Sequence, residues 1–236
     1  MSPKKYTDLF IDFDDTLCDT HGGAQRALET IFAEYELSRH FDREETFYDS
    51  YWRTNMELWQ QYGKGEISRS FLIVERFRRP LSQGHGLNPT ELQCLAVSDR
   101  FLELCVEKTR PQEGALQLID YLRKQGYRLH LCSNGFHEVQ YRKLHNCGLD
   151  GCFDSVVLSE DAGANKPQQA FFDYAFRKTG AQPTTTAMIG DGWDSDMRGA
   201  LDYGLDTIFF NRFPNYPAPQ PVTHEVHRLT DIMRIL

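Results

Sequence analysis

Asp12, Asp14 and Asp15 crowd into the stretch LFIDFDDTL, at the point where a short apolar run should end as a strand. Carboxylates this close repel one another, and burial adds to the cost unless a cation or hydrogen-bond donors compensate. A hard divalent ion answers both costs, because Mg²⁺ prefers a few carboxylates plus water and a substrate phosphate to a complete protein cage. Asp191, in the later stretch MIGDGWDSD, offers another carboxylate at the end of a second apolar run, and Asp194 and Asp196 follow it. Either cluster alone fits helix capping equally well; the two together favour a metal site built on Asp12, Asp14 and Asp191.

Two other places carry groups suited to an anionic substrate. Ser133 and Asn134, in LCSNG, supply a hydroxyl and an amide beside a turn, a suitable cradle for phosphate oxygens. Lys166, just before Pro167, can neutralise charge on both a phosphate and an attacking carboxylate. Singly, Ser-Asn-Gly is an ordinary turn and Lys-Pro an ordinary helix entrance. Their order along the chain is what gives them weight.

The elements that must position these groups are legible as short apolar runs separated by helical patterns. Tyr6 to Phe13, a run from Tyr127 through Asn134, SVVLSE from Ser155, AMIGD from Ala187 and DTIFFN from Asp206 all have strand character. Between them, GALQLIDYLRKQG places Leu116, Ile119 and Leu122 on one helical face and stops at Gly126. In KPQQAFFDYAFRKTG, Pro167 suits a first helical turn and Gly180 an end, and DSDMRGALDYG closes at Gly204. Strands alternating with helices imply a doubly wound parallel α/β sheet, which gathers ligands at the carboxyl ends of its strands. The acids, Ser133 and Asn134 all fall at such ends.

From Cys18 to Arg110 the alternation breaks into helices only. One amphipathic stretch begins at Thr20, a longer one is opened by Asp42 with Glu45 in capping-box spacing, another follows Ser68, and a last starts at Asn88-Pro89. The expected organisation is an α/β catalytic core of residues 1–17 and 111–236, with residues 18–110 inserted as an all-helical cap. PNYPAPQP, from Pro214 to Pro221, is expected as a surface loop.

Bulk properties narrow the class. The 236 residues carry a formal charge of -8, which disfavours a non-specific grip on nucleic acid. The 6 cysteines show no CxxC pair or zinc-type spacing, so reduced thiols in a cytoplasmic protein are expected. The apolar run behind the N-terminal lysines is broken by Asp12 before it reaches signal-peptide length, and no membrane partner is expected.

In order, Asp12, Asp14 and Thr16, then Ser133, then Lys166, then Gly190-Asp191 with Asp196 resemble the motif series of the haloacid dehalogenase-like (HAD) superfamily of phosphohydrolases: DxDxT, Ser or Thr at a strand end, Lys, and GDxxxxD. The stretches NMELWQQYGKGEISR, SNGFHEVQYRKLHNCGL and SEDAGANKPQQAFFDYAF resemble the bacterial pyrimidine nucleotide 5′-nucleotidase branch more narrowly. The resemblance implies a Rossmann-like core with a helical cap and a Mg²⁺-dependent phosphomonoesterase, most simply acting on pyrimidine nucleoside monophosphates. Asp12 would be the nucleophile, Asp14 the general acid and base, Ser133, Asn134 and Lys166 the phosphate cradle. Mg²⁺ would sit on the Asp12 side chain, the Asp14 carbonyl and Asp191, with Asp196 behind them, while Asp15 and Thr16 hold the loop. Trp193 is bulkier than the GDGWDSD loop leads one to expect.

Asn55, Trp59 and Arg69 are candidates for reading a base or ribose from the cap, with Arg76 a weaker one. Against that, Trp59 fits cap core equally well, and Arg76, Arg78 and Arg79 fit a solvated basic face. The same residues also admit a sugar-phosphate or phosphoglycolate-type phosphatase, a phosphomutase, a haloacid dehalogenase, or a non-catalytic module accepting a phosphoryl group on Asp12. A haloacid dehalogenase has no need of a second acid such as Asp14, since a halide leaves without a proton. The partner is expected to be a small phosphate ester, and the oligomeric state is left open between a monomer and a weak dimer.

Overall fold

Leu9, Phe10 and Ile11 have no exposed surface, so the first strand, β1 (Asp8–Ile11), must be covered on both faces. The computed structural model describes residues 5–213 and 215–236; residues 1–4 and Pro214, the first proline of the expected loop, lie outside the described residues. The chain folds as two compact units, Thr20–Thr109 and the remainder.

The helical unit contains α1 (Thr20–Glu34), α2 (Glu44–Gly63), α3 (Arg69–Leu81) and α4 (Glu91–Glu107). Its core packs Leu28 and Ile31 of α1 with Phe47 and Tyr51 of α2, Phe77 of α3 and Phe101 of α4. Ser68 caps α3, accepting from Phe71 N at 3.2 Å. The other two expected starts shift. Arg43, not Asp42, precedes α2, and Asp42 instead faces His85 Nε2 at 3.4 Å. The last helix begins past Asn88-Pro89, because Thr90 and Gln93 complete a reciprocal capping box there.

The α/β unit continues with α5 (Ala115–Lys124), β2 (Arg128–Ser133), α6 (His137–Asn146), β3 (Ser155–Leu158) and a single turn, α7 (Ser159–Ala162). Then come α8 (Gln169–Thr179), β4 (Thr186–Gly190), a π turn at Trp193–Met197, α9 (Arg198–Tyr203), β5 (Asp206–Phe210) and β6 (His224–Val226). The six strands form one parallel sheet in the order β3-β2-β1-β4-β5-β6. Leu9 and Ile11 join Leu129, Leu131, Ile189 and Leu118 on one side, whereas Phe10, Cys132 and Met188 meet Phe171 and Phe172 on the other. This is the doubly wound arrangement, and its strand order reverses between β1 and β4, where such sheets open a crevice at their carboxyl ends.

Three local expectations change. Leu116 is 46% exposed, and Ala115 and Leu118 take the buried face of α5 with Ile119 and Leu122. Pro167 follows a cis peptide bond and lies before α8, whose first residue is Gln169. Strand β6 has no apolar run to announce it, since His224-Glu225-Val226 pairs only along one edge. Trp193 finds its place edge-on to Phe209, with ring centroids 5.8 Å apart.

At the start of β1, away from the crevice, Asp8 is fully buried and pairs with His130 Nε2 at 2.8 Å, also accepting from Arg128 and Thr7. Burial pushes its carboxyl up, but the donors of His130, Thr7 and Arg128 outweigh that and hold it below the ordinary value.

Candidate active site

Asp12 lies one residue beyond β1, where its backbone N–H still donates to Ile189 O at 2.9 Å and thus fixes its place at the β1/β4 reversal. Its carboxylate is buried, with Oδ1 2.6 Å from Lys166 Nζ. The Lys166 ammonium also donates to Asp196 Oδ1 at 2.6 Å and to the Cys132 carbonyl at 2.7 Å, so its three protons are all engaged. Burial works against the charged lysine, but Asp12 and Asp196 prevail and raise its pKa. Burial, with Asp196, Asp191 and Asp14 nearby, holds the Asp12 carboxyl well above the usual range despite Lys166.

The end of β4 supplies Asp191. Thr16 ties it to the first loop in both directions, donating to Asp191 Oδ1 at 3.1 Å while accepting from Asp191 N at 3.0 Å. Asp15, whose φ of 63° closes the loop by way of a left-handed residue, is paired at 3.3 Å with Arg212, which also donates to Asp191 Oδ2 at 3.1 Å. Burial still pushes the Asp191 carboxyl up to about 7. Asp196 uses both oxygens within the protein, one on Lys166 and the other on Gly192 N at 3.0 Å.

Ser133, at the end of β2, is fully buried, and Gly135 N donates to its hydroxyl at 3.1 Å. Asn134 is engaged with the Lys166 backbone: its Oδ1 accepts from Lys166 N at 2.8 Å and its Nδ2 donates to Lys166 O at 2.9 Å. The amide braces the backbone that carries Lys166 and retains a single N–H for any anion. Asp14 is engaged from α6, where Lys143 Nζ contacts Oδ1 and Gln140 Nε2 donates to Oδ2.

Asp12, Asp191 and Asp196 each present an oxygen within 4.8 Å of the others, a hard, all-oxygen donor set that suits Mg²⁺. Three carboxylates, those of Asp12 and Asp196 buried and that of Asp191 half-buried, are served by one lysine and one arginine and leave negative charge that a divalent ion would balance, so the residues fit the ion.

The haloacid dehalogenase-like hydrolase profile matches residues 9–204. The chain belongs to the HAD-like hydrolases. YfnB of Bacillus subtilis, a HAD-hydrolase, is 30% identical over 99% of this chain and 96% of its own length. Its magnesium-bound crystal structure, described as revealing interdomain movement, superposes with a TM-score of 0.84 over 98% of this chain and 99% of that one, at 26% identity. The pyrimidine 5′-nucleotidase YjjG of Escherichia coli is 29% identical over 97% of this chain and 98% of its own. A glyceraldehyde 3-phosphate phosphatase of Methanothermobacter thermautotrophicus reaches 38% over a shorter span, 86% of this chain and 84% of its own.

Within this HAD core, sequence reasoning passed over Gln140, Lys143 and Arg212. The first two leave a weak signal, a polar pair at i, i+3 on the buried face of α6; Arg212, two residues past β5, leaves none. In the helical unit, Asn55 and Trp59 stand one turn apart on α2, and Arg69 is the first residue of α3. Asn55 Oδ1 is 3.5 Å from the Tyr51 hydroxyl, and Trp59 meets Tyr62 edge-on. Arg76 is only 3% exposed, donating to Ser98 Oγ at 2.8 Å over the Phe101 ring, so it does not share a solvated face with Arg78 and Arg79. Among the described residues no helix is long and apolar enough to cross a membrane.

Proposed function

We propose that this chain is a Mg²⁺-dependent phosphomonoesterase that works through an aspartyl-phosphate on Asp12 and takes pyrimidine nucleoside monophosphates as substrates. The observation that carries the reading is the buried Asp12 carboxylate, held at one oxygen by Lys166 and grouped with Asp191 and Asp196, with Asp14 two residues on. A lysine on Oδ1 orients the other oxygen for attack and offsets the charge that builds between carboxylate and phosphate. Asp12 forms a bond to phosphorus as the ester oxygen departs with a proton from Asp14. Asp14, now a carboxylate, takes a proton from water, whose oxygen displaces Asp12 and leaves inorganic phosphate. Ser133 and the turn amides after it supply donors to the phosphate oxygens. Bound Mg²⁺, held by the Asp12 side chain, the Asp14 carbonyl and Asp191, would supply charge neutralisation between nucleophile and phosphate. Asp196 serves from behind, since it is almost fully buried and its oxygens already accept from Lys166 and Gly192 N.

The nucleotide preference is supported by likeness to YjjG across nearly the whole chain. The glyceraldehyde 3-phosphate phosphatase favours a second reading, a sugar-phosphate phosphatase with the same chemistry. Asn55, Trp59 and Arg69 are the helical-unit residues proposed to choose between them.

The experiment is phosphate release from a panel of nucleoside monophosphates and sugar phosphates, with Mg²⁺ or with EDTA, using Asp12→Asn as the blank. UMP, dUMP or dTMP leading the panel, silenced by EDTA, supports the nucleotidase. A leading sugar phosphate transfers the enzyme to the second reading, and turnover by Asp12→Asn removes the covalent mechanism.

A further inference from the structure

Gln140 and Lys143 are almost fully buried, 1% and 4% exposed, on a face of α6 that is otherwise lined by Leu144. An amide and an ammonium are costly there unless they have partners, and both find the same one. Lys143 Nζ meets Asp14 Oδ1, and Gln140 Nε2 donates to Asp14 Oδ2 while also lying 2.6 Å from Ser133 Oγ. Each Asp14 oxygen thus has its own α6 donor. Lys143 is further seated over the Phe13 ring, 5.6 Å from its centroid, which limits how far the ammonium can wander.

Gly135 supplies an independent sign that this contact is built in. A Cβ at that position would stand 2.2 Å from Gln140 Nε2 and 2.3 Å from Cδ, so the Gln140 arm reaches Ser133 and Asp14 only because residue 135 has no side chain. The glycine of LCSNG is there for passage of a side chain, since its φ lies outside the left-handed region.

We infer that Gln140 and Lys143 are positioning residues for Asp14, a two-point clamp that aims its carboxyl at the departing ester oxygen. The inference rests on the phosphatase reading and adds to it: α6 sets how well the enzyme protonates a leaving group. A carboxyl on two freely turning bonds otherwise samples many orientations, and a misplacement near 1 Å costs about 100-fold in rate.

Leaving-group chemistry tests this directly. A nucleoside 5′-phosphate expels a poor, alkoxide-like leaving group that needs the proton, whereas p-nitrophenyl phosphate expels a stable phenolate that hardly does. The quantity to measure is the ratio of kcat/KM for UMP to kcat/KM for p-nitrophenyl phosphate, which reports the first chemical step and not the shared hydrolysis of the phosphoenzyme. Lys143→Met and Gln140→Leu should each lower that ratio by about 10- to 100-fold, within the range of one general acid. Lys143→Arg should restore part of it. In an Asp14→Asn background neither substitution should lower the ratio further, because both act through Asp14.

Equal loss on both esters, a ratio unchanged within about 2-fold, or a further fall in the Asp14→Asn background overturns the clamp. If Lys143→Met loses its circular dichroism signature, Gln140→Leu carries the test; loss of fold in both assigns the pair to packing and overturns it as well. Should wild type hydrolyse p-nitrophenyl phosphate but not nucleotides, the most active sugar phosphate replaces UMP in the ratio. Failure of wild type on every ester sinks the phosphatase reading, and the clamp with it.

Discussion

The Lys166 ammonium lies 2.6 Å from Asp12 Oδ1, with both side chains buried at the carboxyl end of the central strand. Removing the cation strands Asp12 and Asp196 as buried acids without their partner. Lys166→Met is therefore expected to cost about 3 kcal/mol in urea unfolding, and to lower kcat by about 100- to 1,000-fold. Retention of either stability or turnover would show the pair to be dispensable.

Thr16 bonds Asp191 in both directions, and it is fully buried. Thr16→Val keeps the shape but removes the hydroxyl, so Asp191 Oδ1 loses that donor while Arg212 still holds Oδ2. The Mg²⁺ concentration for half-maximal phosphate release should rise about 10-fold. In wild type, Mg²⁺ should raise the melting temperature and EDTA should reverse the rise. An unchanged Mg²⁺ requirement in the variant would leave Thr16 a loop tie only.

Gly190 ends β4 against the side chain it must clear. A Cβ there would lie 2.4 Å from Asp196 Oδ2 and 2.8 Å from its Cβ, and Asp196 cannot retreat while Lys166 and Gly192 hold its oxygens. Gly190→Ala should destabilise by about 2 kcal/mol, and phosphate release should fall with it. Wild-type stability in this variant would mean that the loop has slack.

Asp8 gives a pH dependence of stability remote from the chemistry. Its carboxyl is held below the ordinary 3.8, with burial opposing and the donors of His130, Thr7 and Arg128 prevailing. A carboxyl that is more acidic folded than unfolded contributes stability that is fully present above its unfolded pKa and is lost as pH falls through the folded one. Wild type should therefore lose stability as pH drops below 3.8, and Asp8→Asn should show a shallower acid limb while costing about 3 kcal/mol at neutral pH. Parallel acid limbs in the two proteins would place the effect elsewhere.

Much of the α/β unit was legible because strand and helix periodicities differ locally and need no partner to be seen. The five apolar runs all contain strands, and Gly126, Gly180 and Gly204 stand at φ of 79°, 66° and 86° just past helices. Edges were harder. β6 is three residues on the rim, where one neighbour suffices and no apolar run is required. Helix starts moved wherever a later residue made a better cap, as Thr90 does over Asn88.

By itself the sequence determined which chemistry-bearing residues stand at strand ends and in what order, because a carboxylate after an apolar run is a local fact. Only the tertiary structure decided who partners whom. Folding set the Asn134 amide against the Lys166 backbone with one N–H left over, and Arg76 was one of three clustered basic residues until α4 covered it. Lys143 and Gln140 follow Asp14 by 129 and 126 positions, so their convergence on it depends on the pairing of β2 beside β1. Spacing along a chain encodes a helix face or a strand end; distance across a sheet is settled only when the strands choose their neighbours and register.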